Sequence, residues 1–407
     1  MLNSGDMAWV LTATCLVMIM TPALGFFYGG LVRRKNLVST IVQCLVIFAL
    51  VSLVWALWGY SIAFAPSLNG IVGDLSSAGL NNVGAAPNPK YAPEIPELLF
   101  FAFQLKFAAI TPALIIGAFA ERIRFKSLLL FIVLWATLIY APIAHWVWGV
   151  GGWLKLLGVL DFAGGLVVHV SAGLSAVAAA LVIGRRRGVR GSASVRPNNI
   201  PYVILGASVL WFGWFGFNGG SALAANAIAV SALVVTNLSA AASAISWMFV
   251  DMAKKGKASA VGISVGAVAG MVAITPASGY VGVMPAIIIG LVSGVVSNLV
   301  SNWRARTKLD DSLDVFACHG AGAIWGLLAT GLFASAAMNP SGANGWLYGN
   351  PALFGIQAFA VAVVSLFSFV GSYTLLKVIN LITPIRVSAE EEDAGLDISQ
   401  HGEEAYA

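Results

Sequence analysis

The stretch Asp161–Val170, "DFAGGLVVHV", sets an aspartate and, eight residues on, a histidine into one of the most apolar regions of the chain. The surroundings decide how it is read. The 407 residues are 59% hydrophobic and only 10% charged, with a mean hydropathy of +0.88. A soluble domain usually carries about 25% charged residues. Apolar runs of about 20 residues, the length a bilayer span needs, recur from end to end. The composition therefore specifies an all-α integral membrane protein, and the aspartate and histidine belong to one of its spans.

The hydropathy predicts eleven transmembrane helices, at 9–31, 39–62, 98–119, 127–148, 162–184, 200–217, 226–250, 259–277, 281–300, 314–334 and 351–378. No basic segment precedes the first run, so 9–31 is read as a span and not as a cleaved signal peptide. Basic residues follow the odd-numbered spans: Arg33, Arg34 and Lys35; Arg122, Arg124 and Lys126; Arg185 to Arg187, Arg190 and Arg196; Lys254, Lys255 and Lys257; Arg304, Arg306 and Lys308; Lys377 and Arg386. By the positive-inside rule the N-terminus is outside and the C-terminus cytoplasmic, in a cell (plasma or inner) membrane. Basic clusters confined to short loops exclude a nucleic-acid partner. Lys90 and Lys155 fall in loops on the other side, and Lys106 falls inside the third span. The stretch 66–97, rich in Pro, Gly and Asn, reads as an extracytoplasmic loop. The tail, 379–407, carries "EEED" at Glu390–Asp393, which reads as a solvated acidic run. Cys15, Cys44 and Cys318 all fall inside spans and read as small apolar packers, not as disulfides.

The chain repeats itself. "AITPA" stands at 109–113 and again at 273–277; "GFFYGG" at 25–30 is echoed by "GFNGG" at 216–220; Asp161 precedes His169 by eight residues, as Asp311 precedes His319. Each echo lies five spans from its partner. A five-span unit starts its second copy on the opposite side of the membrane, so the two copies form an inverted five-plus-five repeat with one extra C-terminal helix. The expected divisions are 1–184, 185–334, 335–378 for the eleventh span and 379–407 for the tail. Inverted repeats place a substrate path at their interface near the midplane.

Small residues follow each histidine at helical spacing: Ala172, Gly173, Ala176 and Ala180 after His169, and Gly322, Ala323 and Gly326, then Thr330, after His319. Such faces let membrane helices approach closely, and the simplest geometry puts both imidazoles side by side. A lone intramembrane histidine can serve merely to bond a carbonyl and glue helices; a symmetry-related pair reads as a pathway or proton relay. No Cys, Glu or Asp completes a metal-ligand set around the pair, and no cofactor is implied. Buried imidazoles are expected to stay neutral, so that one ring nitrogen donates and another accepts. Asp161, and by symmetry Asp311, reads first as a cap for free backbone N–H groups, a role compatible with favouring a nearby cation. Phe103 and Phe107 share a face of the third span, Trp148 ends the fourth, and Phe217 and Ser221 end the sixth on the same side. Such aromatics with one hydroxyl suit a small cation; for Trp148 alone an interfacial belt is the plainer reading.

Five segments now carry a resemblance. "FAAITPALIIGAFAERIRF" (107–125), "DFAGGLVVHVSAG" (161–173), "WFGWFGFNGGSALAAN" (211–226), "DVFACHGAGAIWG" (314–326) and "GLDISQHGEEAY" (395–406) resemble the ammonium transporter (Amt) family over essentially the whole chain. The resemblance implies a homotrimer with one pore per subunit. It implies ammonium recruitment at Trp148 and Ser221 with Phe103 nearby, a gate of Phe107 and Phe217, and twin pore histidines His169 and His319. It implies an aspartate needed for transport at Asp161 and a tail that contacts neighbouring subunits, on a face where PII-type regulatory proteins dock. Lys106 is a departure: it either opposes ammonium or, one helical step from Phe107, faces lipid or a subunit contact, which is the favoured reading. Ammonium would be selected outside, deprotonated, and passed as NH3, with methylammonium as an alternative substrate. The rivals are an Rh-like channel for neutral gas, against which Trp148 with Ser221 argues, and an ammonium sensor. An enzyme is not expected, since no nucleophile or phosphate loop accompanies His169.

Overall fold

The computed structural model describes residues 1–188 and 195–406, and Arg190 lies outside the described residues. The chain folds as helices α1 (Ser4–Leu31), α2 (37–64), α3 (Glu97–Phe119), α4 (125–148), α5 (Gly165–Ile183) and α6 (Ile200–Gly220). There follow α7 (Ala227–Lys255), α8 (Ala260–Ile274), α9 (Val283–Ala305), α10 (Phe316–Phe333) and α11 (Pro351–Ile382). Among the described residues, ten helices are long and apolar enough to cross a membrane. The expected eighth span, 259–277, is instead the 15-residue helix α8, short of that length because the chain leaves the helix at Thr275 and turns through Pro276 to Tyr280.

The helix starts follow local chemistry. Asn3, Asn199, Asn226 and Ser259 each turn a side-chain oxygen onto free N–H groups of the helix they precede, satisfying donors that a helix cannot pair internally. At its far end α7 stops at Gly256, whose φ of 72° is the left-handed conformation glycine adopts without strain. The stretch 66–97 holds two short antiparallel hairpins, Ser67–Leu68 with Val72–Gly73 and Pro87–Asn88 with Ala92–Pro96.

Glycines set the packing. In α6, Gly206, Gly213 and Gly216 lie directly against Phe27, Met20, Leu16 and Ala13 of α1. In α7 and α8, Gly266 and Gly270 meet Ser243 and Ser239, and in α9 Gly290 and Gly294 meet the same serines. Helix α3 is buried along most of its length and forms the centre. The periphery is greasy: Leu53 is 64% and Leu366 66% exposed, a hydrocarbon surface that only lipid or another apolar surface satisfies. With its repeated apolar helices this is a multi-pass membrane protein.

The tail packs back on one face of the bundle, here the tail face. Arg124 N–H donates to the Ile385 carbonyl at 2.8 Å, and Val387 N–H donates to the Arg122 carbonyl at 3.1 Å. Ser388 and Glu391 form a reciprocal capping box for the short helix Ala389–Ala394. Of the acidic run, Glu390 and Asp393 are exposed, as expected of a solvated stretch, but Glu392 is not. Glu392 is buried, accepting from Arg386 Nη2 at 2.7 Å and from the Arg187 backbone at 2.6 Å. Asp397 accepts the Val38 and Ser39 N–H groups at the start of α2. Several topogenic arginines also turn out to be interior. The Arg186 guanidinium donates two hydrogen bonds to Asp310, at 2.9 and 3.0 Å, and its backbone N–H a third at 2.8 Å, and Arg122 donates to the carbonyls of Gly184, Ala120, Ala118 and Asp310. Burial alone would raise the Asp310 carboxyl. The hydrogen bonds from Arg186 and the charges of Arg122 and Arg186 outweigh it and hold the group down at about 2.

Candidate functional site: a paired-histidine passage

Both histidines sit in π-helical turns, His169 in Gly165–Val170 and His319 in Phe316–Ala321. A π-turn inserts a residue into a helix and re-aims the side chains there, which is why such turns gather at functional sites. Their Nδ1 atoms lie 3.2 Å apart and their rings are stacked with centroids 5.2 Å apart. One Nδ1 must then carry the shared hydrogen. The ring that donates it has a bare Nε2, and the ring that accepts it has an Nε2–H. The pair thus offers one acceptor and one donor to whatever passes. The His169 Nε2 has no protein partner among the described residues.

Around the rings lies a cavity of about 10 Å³ lined by Leu24, Phe27, Ile110, Leu114, Leu210 and Val268 with Trp214 and Phe217. That is room for about one water-sized molecule, with the imidazoles as its polar rail. The Trp214 ring stacks on His169 at 5.4 Å, and its Nε1–H is fixed by Thr275 Oγ1 at 2.9 Å. The small faces do not simply meet each other, as expected from sequence. Gly173 of α5 abuts Gly320, next to His319, while Gly326 of α10 packs on Ala273 of α8. The asymmetry arises because α8 wedges alongside α10.

Asp161 caps the turn that carries His169. Its carboxylate accepts from Gly164 at 2.9 Å, Gly165 at 2.5 Å, Leu166 at 2.7 Å and Val167 at 3.2 Å. Gly164 allows this at φ 115°, and Gly165 passes so close to Pro276 that any side chain there would collide. Asp311 is a weaker echo: one oxygen accepts from Phe316 at 2.7 Å and the other has no partner among the described residues.

Next along from the histidines come the aromatics. Phe107 and Phe217 overlap with ring centroids 4.2 Å apart, and Phe217 also stacks on His169 at 6.0 Å. Beyond them opens a second cavity of about 160 Å³, lined by Phe107, Trp148, Ser221, Phe100, Gln104 and Leu223, among others. Trp148 is held by a hydrogen bond from its Nε1 to the Asp161 carbonyl at 2.9 Å. Ser221 donates its hydroxyl hydrogen to the Phe217 carbonyl at 2.8 Å, which leaves its lone pairs to accept. Phe103 is fully buried behind Phe107, at 4.9 Å, against Gly220, and does not line the cavity. Lys106 leaves the cavity altogether: its Nζ lies over the Phe48 ring of α2 at 5.0 Å. The site residues taken from sequence line the two cavities, except Phe103, which backs Phe107, Asp161, which caps the turn of His169, and Asp311, which stands at the start of α10.

The family model of the Ammonium Transporter Family matches residues 8–406. The chain belongs to the ammonium transporter family. It is 47% identical to the ammonium transporter Amt1 of Archaeoglobus fulgidus, over all of both chains, and 46% identical to an ammonium transporter of Bacillus subtilis, over all of this chain and 99% of that one. Among solved structures it resembles Mep2 of Candida albicans at 36% identity with a TM-score of 0.90, covering 96% of this chain and 88% of that one. It also resembles a protein described as a sensor Amt protein at 30% identity with a TM-score of 0.89, over 98% of each chain.

In this member of the family, Trp214, Lys90, Lys155 and Gln104 were not singled out from sequence as site residues. Trp214 was hidden among 13 tryptophans; its signal is the second "AITPA", whose Thr275 fixes it. Lys90 and Lys155 line the same cavity as Trp148, and Lys155 Nζ donates to the Trp148 carbonyl at 2.9 Å.

Proposed function

We propose that this chain takes up ammonium: it recruits NH4+ in the 160 Å³ cavity, removes a proton near Phe107 and Phe217, and passes NH3 along His169 and His319. The observation that carries the reading is the bonded imidazole pair, 3.2 Å apart, in an apolar cavity too small for a hydrated ion. Moving a bare ammonium ion into such surroundings costs on the order of tens of kcal/mol by Born solvation, whereas ammonia sheds little. The cavity at Trp148 supplies ring faces worth about 0.5–2 kcal/mol each and the free lone pairs of Ser221. Potassium has a similar size but cannot donate to those acceptors. Asp161 keeps the turn of His169 in place and adds a negative charge near the recruiting end. The inverted halves 1–184 and 185–334 then frame the path, with residues 335–378 as the eleventh span and 379–407 as the tail. The N-terminus would be outside, the tail face cytoplasmic, and the assembly a homotrimer in the cell membrane.

Electrical recording from reconstituted protein tests this. Ammonium, and methylammonium more weakly, should evoke transport that equal potassium does not; current evoked equally by potassium would end the proposal. Strict electroneutrality would favour a neutral-gas channel over coupled proton movement. The likeness to a sensor Amt protein supports a second reading, in which the tail signals to a partner such as a PII-type protein. Deleting residues 386–407 removes the bonds from Arg386 to the Ile183 and Arg185 carbonyls and the Asp397 cap on α2. The truncated protein should insert normally, with transport reduced several-fold or partner binding lost. Unchanged kinetics and unchanged partner binding would remove the tail from the mechanism.

A further inference from the structure

In α3, Phe100, Gln104 and Phe107 stand at i, i+4 and i+7, one face of the helix, and all three line the recruiting cavity. Two of the three are aromatic and buried. The third ends in an amide whose Oε1 is shielded from water and has no hydrogen-bond partner among the described residues. An amide oxygen left in that state loses its water without gaining a partner, a condition that native structures usually relieve with an ordered water or a ligand. The electrostatics of the cavity sharpen the point. No carboxylate lines it, while Lys90 and Lys155 do. For direct contacts a cation held there beside two lysines depends on ring faces and neutral acceptors, the Asp161 charge acting from behind Trp148 and not from the lining. Ser221 Oγ, whose hydrogen is committed to Phe217, is one such acceptor.

We infer that Gln104 is a specificity-determining residue of the recruiting cavity: its Oε1 accepts a hydrogen bond from the N–H of bound ammonium or methylammonium, opposite Ser221. The terminal torsion of a glutamine is soft and nearly two-fold, so rotation about it turns Oε1 into the cavity when a donor arrives. The ring faces of Phe107 and Trp148 then contact the remaining N–H groups. A tetrahedral donor aims a separate N–H at each acceptor and ring, a directional match that a spherical ion of the same radius cannot make. The inference rests on the ammonium reading of this cavity.

The test is [14C]methylammonium uptake into proteoliposomes by the full chain, with potassium as competitor. Gln104→Leu, which keeps the volume and removes the acceptor, should raise KM about tenfold, the equivalent of about 1.4 kcal/mol, while changing kcat by less than about twofold. Potassium should compete more effectively. Gln104→Glu, which keeps an acceptor and offsets a lysine, should hold KM at or below the parental value. Should Gln104→Leu fail to insert, Gln104→Ala is read by the same criteria. A KM within twofold of parental in the acceptor-free variant, or a rise in KM in Gln104→Glu equal to that in Gln104→Leu, overturns the inference. Ser221→Ala and Trp148→Leu separate the two levels. If they raise KM while Gln104→Leu does not, Gln104 alone is excluded; if they too leave KM unchanged, the recruiting cavity itself is wrongly placed.

Discussion

His169→Ala should abolish selective transport while leaving a folded, inserted protein. The variant removes one partner of the 3.2 Å Nδ1–Nδ1 bond and leaves the His319 Nδ1 in apolar surroundings, which costs about 1–3 kcal/mol. That loss is tolerable for a helical bundle of this size. The transport consequence is larger. Without the ring, the 10 Å³ cavity widens by most of an imidazole, and the space between Phe217 and His319 can hold several waters instead of one small molecule. A continuous water file solvates ions, so the barrier that separates ammonia from potassium falls away. The expected result is at least a tenfold drop in the ratio of ammonium-evoked to potassium-evoked transport in liposomes, an energy of about 1.4 kcal/mol or more. Unchanged selectivity would show that the passage does not run past the histidines. Loss of insertion or assembly would show that the histidine is structural glue.

How far this arrangement could be read in advance differs from feature to feature, for physical reasons. The spans were legible because a bilayer demands length and hydrophobicity together, and α8 fell short because a proline and a small-residue turn ended its helix at Thr275. The meeting of the histidines was legible in the repeat, since a symmetry-related pair of polar groups in apolar helices has few places to go. Partner choice among small faces was not legible. Gly173 and Gly326 look alike in sequence, yet one abuts Gly320 and the other Ala273, because close helix approach is decided by which third helix is adjacent. The tail face misled in a different way. Arg122 and Arg186 read as loop charges, and Glu392 as a solvated one, but each is buried and bonded. Charge predicts the side of the membrane; it does not tell whether the charge meets water or a partner. Lys106 was settled only by its rotamer over Phe48, one helical step from Phe107. Gln104 was the converse omission: its spacing from Phe100 and Phe107 was visible, but nothing in a sequence marks an oxygen without a donor.

Gly173→Val should be nearly as damaging to transport as loss of the histidine, without touching either ring. A Cβ at Gly173 would overlap the backbone nitrogen and Cα of Gly320, which belongs to the π-turn of His319. Backbone atoms cannot swing aside as a side-chain tip can, so α10 must move away from α5 as a body. Accommodating even a methyl requires a shift of about 1 Å, since carbon atoms rest at about 3.5–4.0 Å. A hydrogen bond at 3.2 Å does not survive that displacement, because the interaction weakens steeply beyond its normal range. Overpacking of this kind destabilises by about 1–3 kcal/mol, measurable as a lower melting temperature in detergent. Gly355→Val in α11 supplies the contrast: it makes the same chemical change at an exposed position where an added Cβ meets nothing within 4 Å. It should leave both melting and uptake unchanged. Equal behaviour of the two variants would mean that the contact between α5 and α10 does not set the spacing of the imidazoles, and that the pair is held by something other than the absence of a side chain at Gly173.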